Sequence, residues 1–107
     1  MAFEIEWLES ALKDLDAEIE YVYCEFGKIA AQKAYRKIID HISQLPSFPQ
    51  MGMKYEEMTF MGNEVRKLPI HQITVFYSLH NSKVTILAVW NNYQDSDNIP
   101  YHLSGLE

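Results

Sequence analysis

The sequence predicts an α+β fold: an N-terminal strand, an antiparallel helical hairpin, and a twisted, mostly antiparallel sheet of three or four strands. Two observations support this prediction. Apolar residues recur at helical spacing between residues 10 and 45, and three apolar-rich runs with strand character follow between residues 65 and 90. With 107 residues, 48% of them hydrophobic, we expect a single domain over residues 1–107 with one core.

The first two elements are a strand and a helix. Residues 3–7 (Phe-Glu-Ile-Glu-Trp) alternate apolar and acidic side chains, which is the period of a half-buried strand. Ser10 is then predicted to cap a helix that ends at Gly27, a residue that tolerates a left-handed helix terminus. The predicted apolar stripe of this helix consists of Leu12, Leu15, Ile19, Val22 and Phe26.

A second helix follows at once and ends before Pro46 and Pro49, which forbid its continuation. Its apolar positions recur at three and four residues: Ala31, Ala34, Ile38, Ile42 and Leu45. Two helices joined by one tight turn lie antiparallel, and their stripes need a sheet to cover.

The C-terminal half is predicted to be an antiparallel meander. Its strands cover residues 65–70, 73–79 and 83–90, with turn-forming residues before the first strand and between the last two. Residues 46–55 are predicted to be a loop, and residues 57–61 one more short strand. From Asn91 onward the chain is polar, and we expect a loop or frayed tail that is flexible from about residue 97.

Alternation across the strands predicts which side chains face the helices. On the strand over residues 73–79 we expect Ile73, Val75, Tyr77 and Leu79 to face the helices, and Thr74, Phe76, Ser78 and His80 to face away. By the same count Arg66 faces the helices with Leu68 and Ile70. A half-buried guanidinium there must pair with an acid of the helices, as a structural ion pair or as part of a functional site.

The face away from the helices is predicted to be open, apolar and aromatic. Such a face suits a protein segment better than a phosphate chain. Lys67 points to this side and is the best candidate for contacting a partner. The predicted partner-binding residues are Lys67, Phe76, Leu87, Val89, Tyr93 and Gln94, together with Arg66.

The net charge of −6 is concentrated at the N-terminus. Residues 1–25 hold eight of the 15 acids and one of the nine bases, which gives −7, and the remaining seven acids and eight bases give +1. Such asymmetry indicates a solvated helix face, with a docking surface for a basic partner as the alternative. It does not favour strong nucleic-acid binding.

Several classes of protein are disfavoured by the sequence. No apolar run reaches the roughly 18–20 residues of a membrane span, and the N-terminus lacks the order of a secretory signal. We therefore expect a soluble, cytoplasmic protein. Cys24 is the sole cysteine, so it allows no internal disulfide, and it is interpreted as a packing residue. No cofactor and no metal site are predicted.

Several short motifs together resemble the RelE/ParE superfamily of toxins from bacterial type II toxin-antitoxin systems, over about residues 2–96. They are Trp7 ahead of Ala11, Leu12 and Leu15, then Pro49 and Gly52, Val65-Arg66-Lys67-Leu68, Phe76-Tyr77, the run 86–90, and Gln94-Asp95. The resemblance implies two antiparallel helices packed on a mostly antiparallel sheet. It also implies a partner, an antitoxin that lays a helix or extended segment across the toxin.

The RelE-type members of this superfamily are ribosome-dependent endonucleases that depend on two lysines, two arginines and a tyrosine. On this chain the two lysine positions fall on Lys67 and Val65, and the two arginine positions fall on Thr74 and Gln94. The tyrosine position lies one residue from Tyr101. Losing one donor at a developing oxyanion costs roughly a hundred- to a thousandfold in rate. Efficient cleavage of this type is therefore not expected.

The resemblance to the ParE-like branch implies a different action, the poisoning of DNA gyrase through protein contact. Our first hypothesis is accordingly a ParE-like, plasmid-stabilisation-like toxin that binds a protein target and is neutralised by an antitoxin. The alternatives are a divergent ribosome-dependent endonuclease, with Lys67, His71, His80 and Tyr101 as candidate catalytic residues, and an inactive relative that only binds an antitoxin.

Overall fold

The computed structural model describes residues 3–94 and 96–104, apart from the side chains at positions 96, 101 and 104. The elements in chain order are β1 (Glu4–Trp7), α1 (Glu9–Phe26), α2 (Lys28–Ile42), β2 (Met53–Phe60), β3 (Asn63–Ile70), β4 (Ile73–His80), β5 (Lys83–Asn91), a 3-10 turn (Ser96–Asn98) and α3 (Ile99–Ser104). The predicted α+β order of strand, helical hairpin and meander is therefore confirmed.

The strands form one five-stranded mixed sheet in the order β1-β5-β4-β3-β2. β1 runs parallel to β5, and the other neighbours are antiparallel. The parallel pairing is possible because the α1–α2 hairpin and the meander carry the chain back to the start of the sheet. The short strand predicted over residues 57–61 is longer, since β2 already begins at Met53.

The helical hairpin covers one face of the sheet, and the main core lies between them. Ile73, Val75 and Tyr77 of β4 pack there, as their alternation predicts, and Tyr77 is fully buried. From the helices this core receives Ala11, Leu15, Ile38 and Ile42, followed by Leu45 just after α2.

The predicted boundary and stripe of the first helix need correction. Ser10 is not the N-cap, because α1 already begins at Glu9 and the capping position is held by Leu8. Leu12 and Phe26 are 45% and 68% exposed, so the buried face is centred on Ala11 and Leu15 instead. The predicted end at Gly27 is confirmed: its φ is +93°, and its N–H donates to the Tyr23 carbonyl at 2.9 Å.

A β-bulge in β5 changes which way its side chains point. Phe76 pairs with Ala88 but Tyr77 pairs with Ile86, so Leu87 is an extra residue in β5. Leu87 and Ala88 therefore both lie on the face away from the helices, and Val89 belongs to the core on the helix side. The prediction that Val89 points away from the helices is wrong for this reason.

The face away from the helices is not open. Phe76 and Leu87, each 1% exposed, lie in a second buried cluster with Val65 and Trp90. Leu103 of α3, 3% exposed, completes this cluster, so a short helix lies where the sequence predicted a loop or tail. Residues 105–107 lie outside the described part of the chain.

The edge strand β2 also folds over this face. Lys54 pairs with Arg66 and Thr59 with Glu64, so four residues of β2 stand opposite the single residue Val65. This large bulge carries the Tyr55 ring to within 5.1 Å of the Phe76 ring, edge to face.

Arg66 is half-buried as expected, but its partner is not a helix acid. Its Nε donates to Glu64 Oε2 at 2.7 Å, and its Nη1 donates to the Gly52 carbonyl at 2.7 Å. The loop before β2 crosses close to this side chain, and Glu64 lies two residues away on the same strand, so both are nearer than the helices. Arg66 thus ties the loop to the sheet.

Candidate protein-binding site

A cleft opens between the C-terminal segment and the sheet face opposite the hairpin, with a volume of about 460 Å3. We name it the sheet-face cleft. Its residues are Tyr55, Glu57, Lys67, Thr74 and Phe76 of the sheet, and Asn92, Asp97, Ile99 and Pro100 of the C-terminal segment. It exists because the β2 bulge and α3 rise on either side of β3 and β4.

Two of the predicted partner-binding residues, Lys67 and Phe76, line the sheet-face cleft. The Lys67 Nζ lies 5.7 Å from the centroid of the Tyr55 ring, a cation–π distance. Burial, and secondarily the nearby Glu57 carboxylate, raise the pKa of Tyr55, so its hydroxyl stays protonated near neutral pH. The cleft thus offers an aromatic wall with one ammonium group beside it.

The charges that line the sheet-face cleft do not favour a phosphate. One cation, Lys67, faces two carboxylates, Glu57 and Asp97. At the inner end the Thr74 hydroxyl donates to Asn92 Oδ1 at 2.7 Å. Mixed polar groups on an apolar floor suit the side chains of an extended polypeptide.

The positions that match the RelE-type nuclease pattern do not converge. Lys67 and Thr74 share the sheet-face cleft, but Val65 is 1% exposed in the second core cluster and Gln94 lines a different cleft. The backbone of Tyr101 belongs to α3, but its side chain lies outside the described part of the structure.

The two candidate histidines are also far from forming one site. His71 occupies the turn between β3 and β4 with φ +57°, and His80 lies at the other end of β4. His80 Nε2 lies 3.0 Å from Asn81 Nδ2, its neighbour in the chain. Among residues 3–94 and 96–104, no group of three or more His, Cys, Asp or Glu side chains could hold a metal ion.

The remaining predicted partner-binding residues lie in different places. Leu87 and Val89 are core residues on opposite faces of the sheet, and Arg66 is held by the loop before β2. Tyr93, 77% exposed, and Gln94 line a cleft of about 440 Å3 between α1 and the end of β5.

Asp14 connects this α1–β5 region to α3. Its Oδ2 accepts the Val89 N–H at 3.2 Å and lies 3.2 Å from His102 Nε2. The His102 ring in turn lies 5.5 Å from the Trp90 ring. These contacts hold α3 in place, and α3 supplies one wall of the sheet-face cleft.

Sequence reasoning missed a third surface, which we name the hairpin groove. It runs along α1 and α2 on the solvent side and has a volume of about 500 Å3. Its residues are Ile19, Tyr23, Lys28, Ala31, Gln32, Tyr35, Arg36, Ile39 and Asp40. The signal in the sequence was the number of aromatic residues on these helices outside their buried stripes.

None of the described helices has the length and apolarity required to cross a membrane.

Comparisons with known proteins connect the chain to a toxin family and to solved structures. The profile of the family described as "ParE toxin of type II toxin-antitoxin system, parDE" matches residues 5–95. The chain is also similar to a solved structure from P. aeruginosa titled "Chromosomal ParDE TA system", with a TM-score of 0.70 and 21% identity over 84% of this chain and 96% of that one. At this identity the likeness concerns the fold. No curated protein sequence matches the chain.

Proposed function

The chain belongs to the family of ParE toxins of type II toxin-antitoxin systems, and on this premise we propose that it acts by binding a protein target such as DNA gyrase. We further propose that a cognate antitoxin neutralises it by covering its contact surface. Action on gyrase requires a cytoplasmic location, and a role in plasmid stabilisation fits the same proposal.

The observation that supports action by protein contact is the make-up of the sheet-face cleft. A ribonuclease of the RelE type needs several cations to stabilise the charge on the reacting phosphate. Here Lys67 is accompanied by Glu57 and Asp97, which leaves the lining negative. Tyr55 and Pro100 give the same cleft the apolar surface that a polypeptide segment buries on binding.

Within this proposal Lys67 and Tyr93 contact the target or the antitoxin. Lys67 can donate to carbonyl or carboxylate oxygens of a bound segment while its stem covers the Tyr55 ring. Tyr93, largely exposed beside Gln94, has the aromatic surface typical of contact residues.

Expression of the chain without an antitoxin tests the toxin role, and gyrase supercoiling with the purified chain tests the target. We expect growth arrest and inhibited supercoiling, both weakened by Lys67→Ala. Lys54→Ala is the matched control, because Lys54 is an exposed lysine of the adjacent strand that pairs with Glu64 outside the cleft.

The alternatives make different predictions in the same experiment. Cleavage of transcripts on ribosomes that disappears with Lys67→Ala, while supercoiling is untouched, contradicts action on gyrase and supports a divergent endonuclease. Normal growth despite soluble expression identifies an inactive relative that serves as an antitoxin-binding module.

A further inference from the structure

The cleft between α1 and the end of β5, which we name the α1–β5 cleft, combines aromatic walls with negative charge. Its volume of about 440 Å3 is within the range of clefts that hold small ligands. The described residues that line it include two carboxylates and two tyrosines but no lysine, arginine or histidine. They are Asp14, Ala17, Glu18, Tyr21, Val89, Asn91, Tyr93 and Gln94.

One stripe of α1 forms the first wall of this cleft. Asp14, Glu18 and Tyr21 are spaced four and three residues apart, so their side chains follow one another along one side of the helix. Ala17 lies within the same stripe and lines the cleft with only a methyl group. A longer side chain at this position would occupy the cleft, so the alanine leaves room for a ligand.

Each of the two carboxylates is oriented through one of its oxygens. Asp14 Oδ2 accepts the Val89 N–H at 3.2 Å and lies 3.2 Å from His102 Nε2. Glu18 Oε1 accepts from Asn91 Nδ2 at 3.1 Å. No donor among the described residues reaches Asp14 Oδ1 or Glu18 Oε2. One acceptor oxygen of each carboxylate therefore stays available on a side chain that is already held in place.

The second wall is positioned by Asn91, the last residue of β5. Its Nδ2 donates to Glu18, and its Oδ1 accepts the Tyr93 N–H at 2.8 Å. The Gln94 N–H donates to the Asn91 carbonyl at 3.0 Å. These hydrogen bonds hold the chain after β5 beside α1. They bring Tyr93 to the same cleft as Tyr21, and both tyrosines are exposed.

The charge of α1 favours a cation in the cleft. This helix carries six acids and one base, Lys13, which pairs with Glu9 at 3.6 Å. Asp16 and Glu20 are exposed acids outside the cleft that add to the negative potential of the helix. A metal ion is not the cation that fits, since the described residues contain no group of three or more His, Cys, Asp or Glu side chains that could hold one.

We propose that the α1–β5 cleft binds the side chain of one arginine on a polypeptide partner. The guanidinium is planar, so it stacks on tyrosine rings while its N–H groups donate to two carboxylate oxygens. An ammonium group is a compact point charge that matches this combination less well. Charge complementarity and the two aromatic walls thus select arginine.

The position of the cleft connects this arginine to the protein target. Asn92 lines the sheet-face cleft, and its neighbours Asn91 and Tyr93 line the α1–β5 cleft, so the two clefts meet at the end of β5. A segment bound in the sheet-face cleft can therefore place an arginine in the α1–β5 cleft. The assignment of the arginine to the target rests on the function proposed above, whereas the preference of the cleft for a guanidinium does not.

Titration of the purified chain with N-acetyl-arginine amide, followed by amide chemical shifts, tests the site. We expect saturable shifts at Glu18, Asn91 and Tyr93, with a dissociation constant in the millimolar range typical of a single side chain. N-acetyl-citrulline amide has the same length but an uncharged urea group, and at equal concentration its shifts should be at least about fivefold smaller. Equal shifts with both compounds, or none with either, overturn the proposal.

Two variants separate the cleft from the general charge of α1. Glu18→Gln keeps the acceptor for Asn91 and should raise the dissociation constant of N-acetyl-arginine amide at least about threefold, because it removes the charge. Ala17→Leu, at an exposed position, should abolish binding by filling the cleft. Glu20→Gln is the matched control, since it removes the same charge from α1 outside the cleft and should leave the dissociation constant nearly unchanged at physiological salt.

Circular dichroism verifies that these variants are folded. Equal effects of Glu18→Gln and Glu20→Gln, or normal binding by Ala17→Leu, overturn the proposal.

Gyrase supercoiling with the same variants tests whether the arginine belongs to the target. Glu18→Gln should require at least about fivefold more protein than wild type for equal inhibition, whereas Glu20→Gln should not. Full inhibition by Glu18→Gln overturns the assignment to the target and leaves the antitoxin as the source of the arginine. If wild type binds N-acetyl-arginine amide but does not inhibit supercoiling, action on gyrase is contradicted while the guanidinium site stands.

Discussion

The hydroxyl of Tyr77 is the hydrogen-bond partner of Gly52, whose N–H donates to it at 2.8 Å across the core. The same hydroxyl donates to the Pro49 carbonyl at 2.8 Å. Gly52 is needed at this place because a Cβ there would lie 2.7 Å from the Lys67 carbonyl and 2.8 Å from the Tyr77 hydroxyl. The loop before β2 is therefore held to the middle of the sheet by one buried side chain.

Tyr77→Phe should destabilise the protein by about 1–3 kcal/mol, because it leaves a buried N–H and a carbonyl without their partner. The free energy of unfolding in urea measures the loss. Tyr35→Phe is the control, since Tyr35 is 48% exposed and should change stability by less than about 0.5 kcal/mol. Equal stability of Tyr77→Phe and wild type would contradict this role of the hydroxyl.

The same burial makes stability fall at alkaline pH. Burial is the main cause that raises the pKa of Tyr77 and of Tyr55 above the ordinary value of 10.0. Above about pH 10 the unfolded chain releases these protons while the folded chain retains them, so the free energy of unfolding decreases as pH rises. Denaturation between pH 8 and about pH 11 should show this decrease.

The Glu6–Lys83 pair acts in the same direction, because the hydrogen bond at 2.9 Å raises the pKa of Lys83. The contribution of the tyrosines to this pH dependence is therefore measured as a difference. The free energy of unfolding of wild type is compared at each pH with that of the double variant Tyr55→Phe and Tyr77→Phe. The variant should lose less stability over this pH range than wild type does. Parallel curves for the two proteins would show that the tyrosine pKa values do not differ between folded and unfolded states.

Arg66→Lys should destabilise the protein by about 1–2 kcal/mol, although it keeps the charge. The guanidinium donates to Glu64 and to the Gly52 carbonyl at 2.7 Å each, and a single ammonium cannot reproduce this planar fork. Arg36→Lys, on the exposed face of α2, should have no comparable effect on the free energy of unfolding. Equal values for the two variants would mean that Arg66 contributes only its charge.

Sequence periodicity predicted the elements that bury one regular face. For β4 the prediction of which side chains lie on each face is correct, because β4 itself has no extra residue between Ile73 and His80. In β5 the extra residue Leu87 reverses the alternation, and such a bulge has no signal in an apolar run. α3 was missed because its six residues are too few to display a helical period.

The candidate site was predicted in part for the same physical reasons. Lys67 was placed correctly, because its strand alternates regularly next to Leu68. The prediction that this face is open was wrong, because Leu103 covers it. Leu103 comes from a segment whose sequence resembles a polar tail. The hairpin groove was missed because the exposure of Tyr23 and Tyr35 depends on how the two helices pack.

Asp14→Asn should loosen α3 without unfolding the rest of the chain. The carboxylate of Asp14 accepts from both Val89 N and His102 Nε2, and the neutral amide is a weaker acceptor for the two donors. The substitution weakens only the contact that holds α3, the short helix that carries Leu103, on the sheet. Hydrogen exchange of the α3 amides should therefore become several-fold faster, while the amides of β4 keep their protection. Glu25→Gln is the control, because Glu25 is an exposed acid of α1, the helix that carries Asp14, and takes part in no ion pair within the described residues. Unchanged exchange in α3, or equally faster exchange in α3 and β4, would contradict a local role for Asp14.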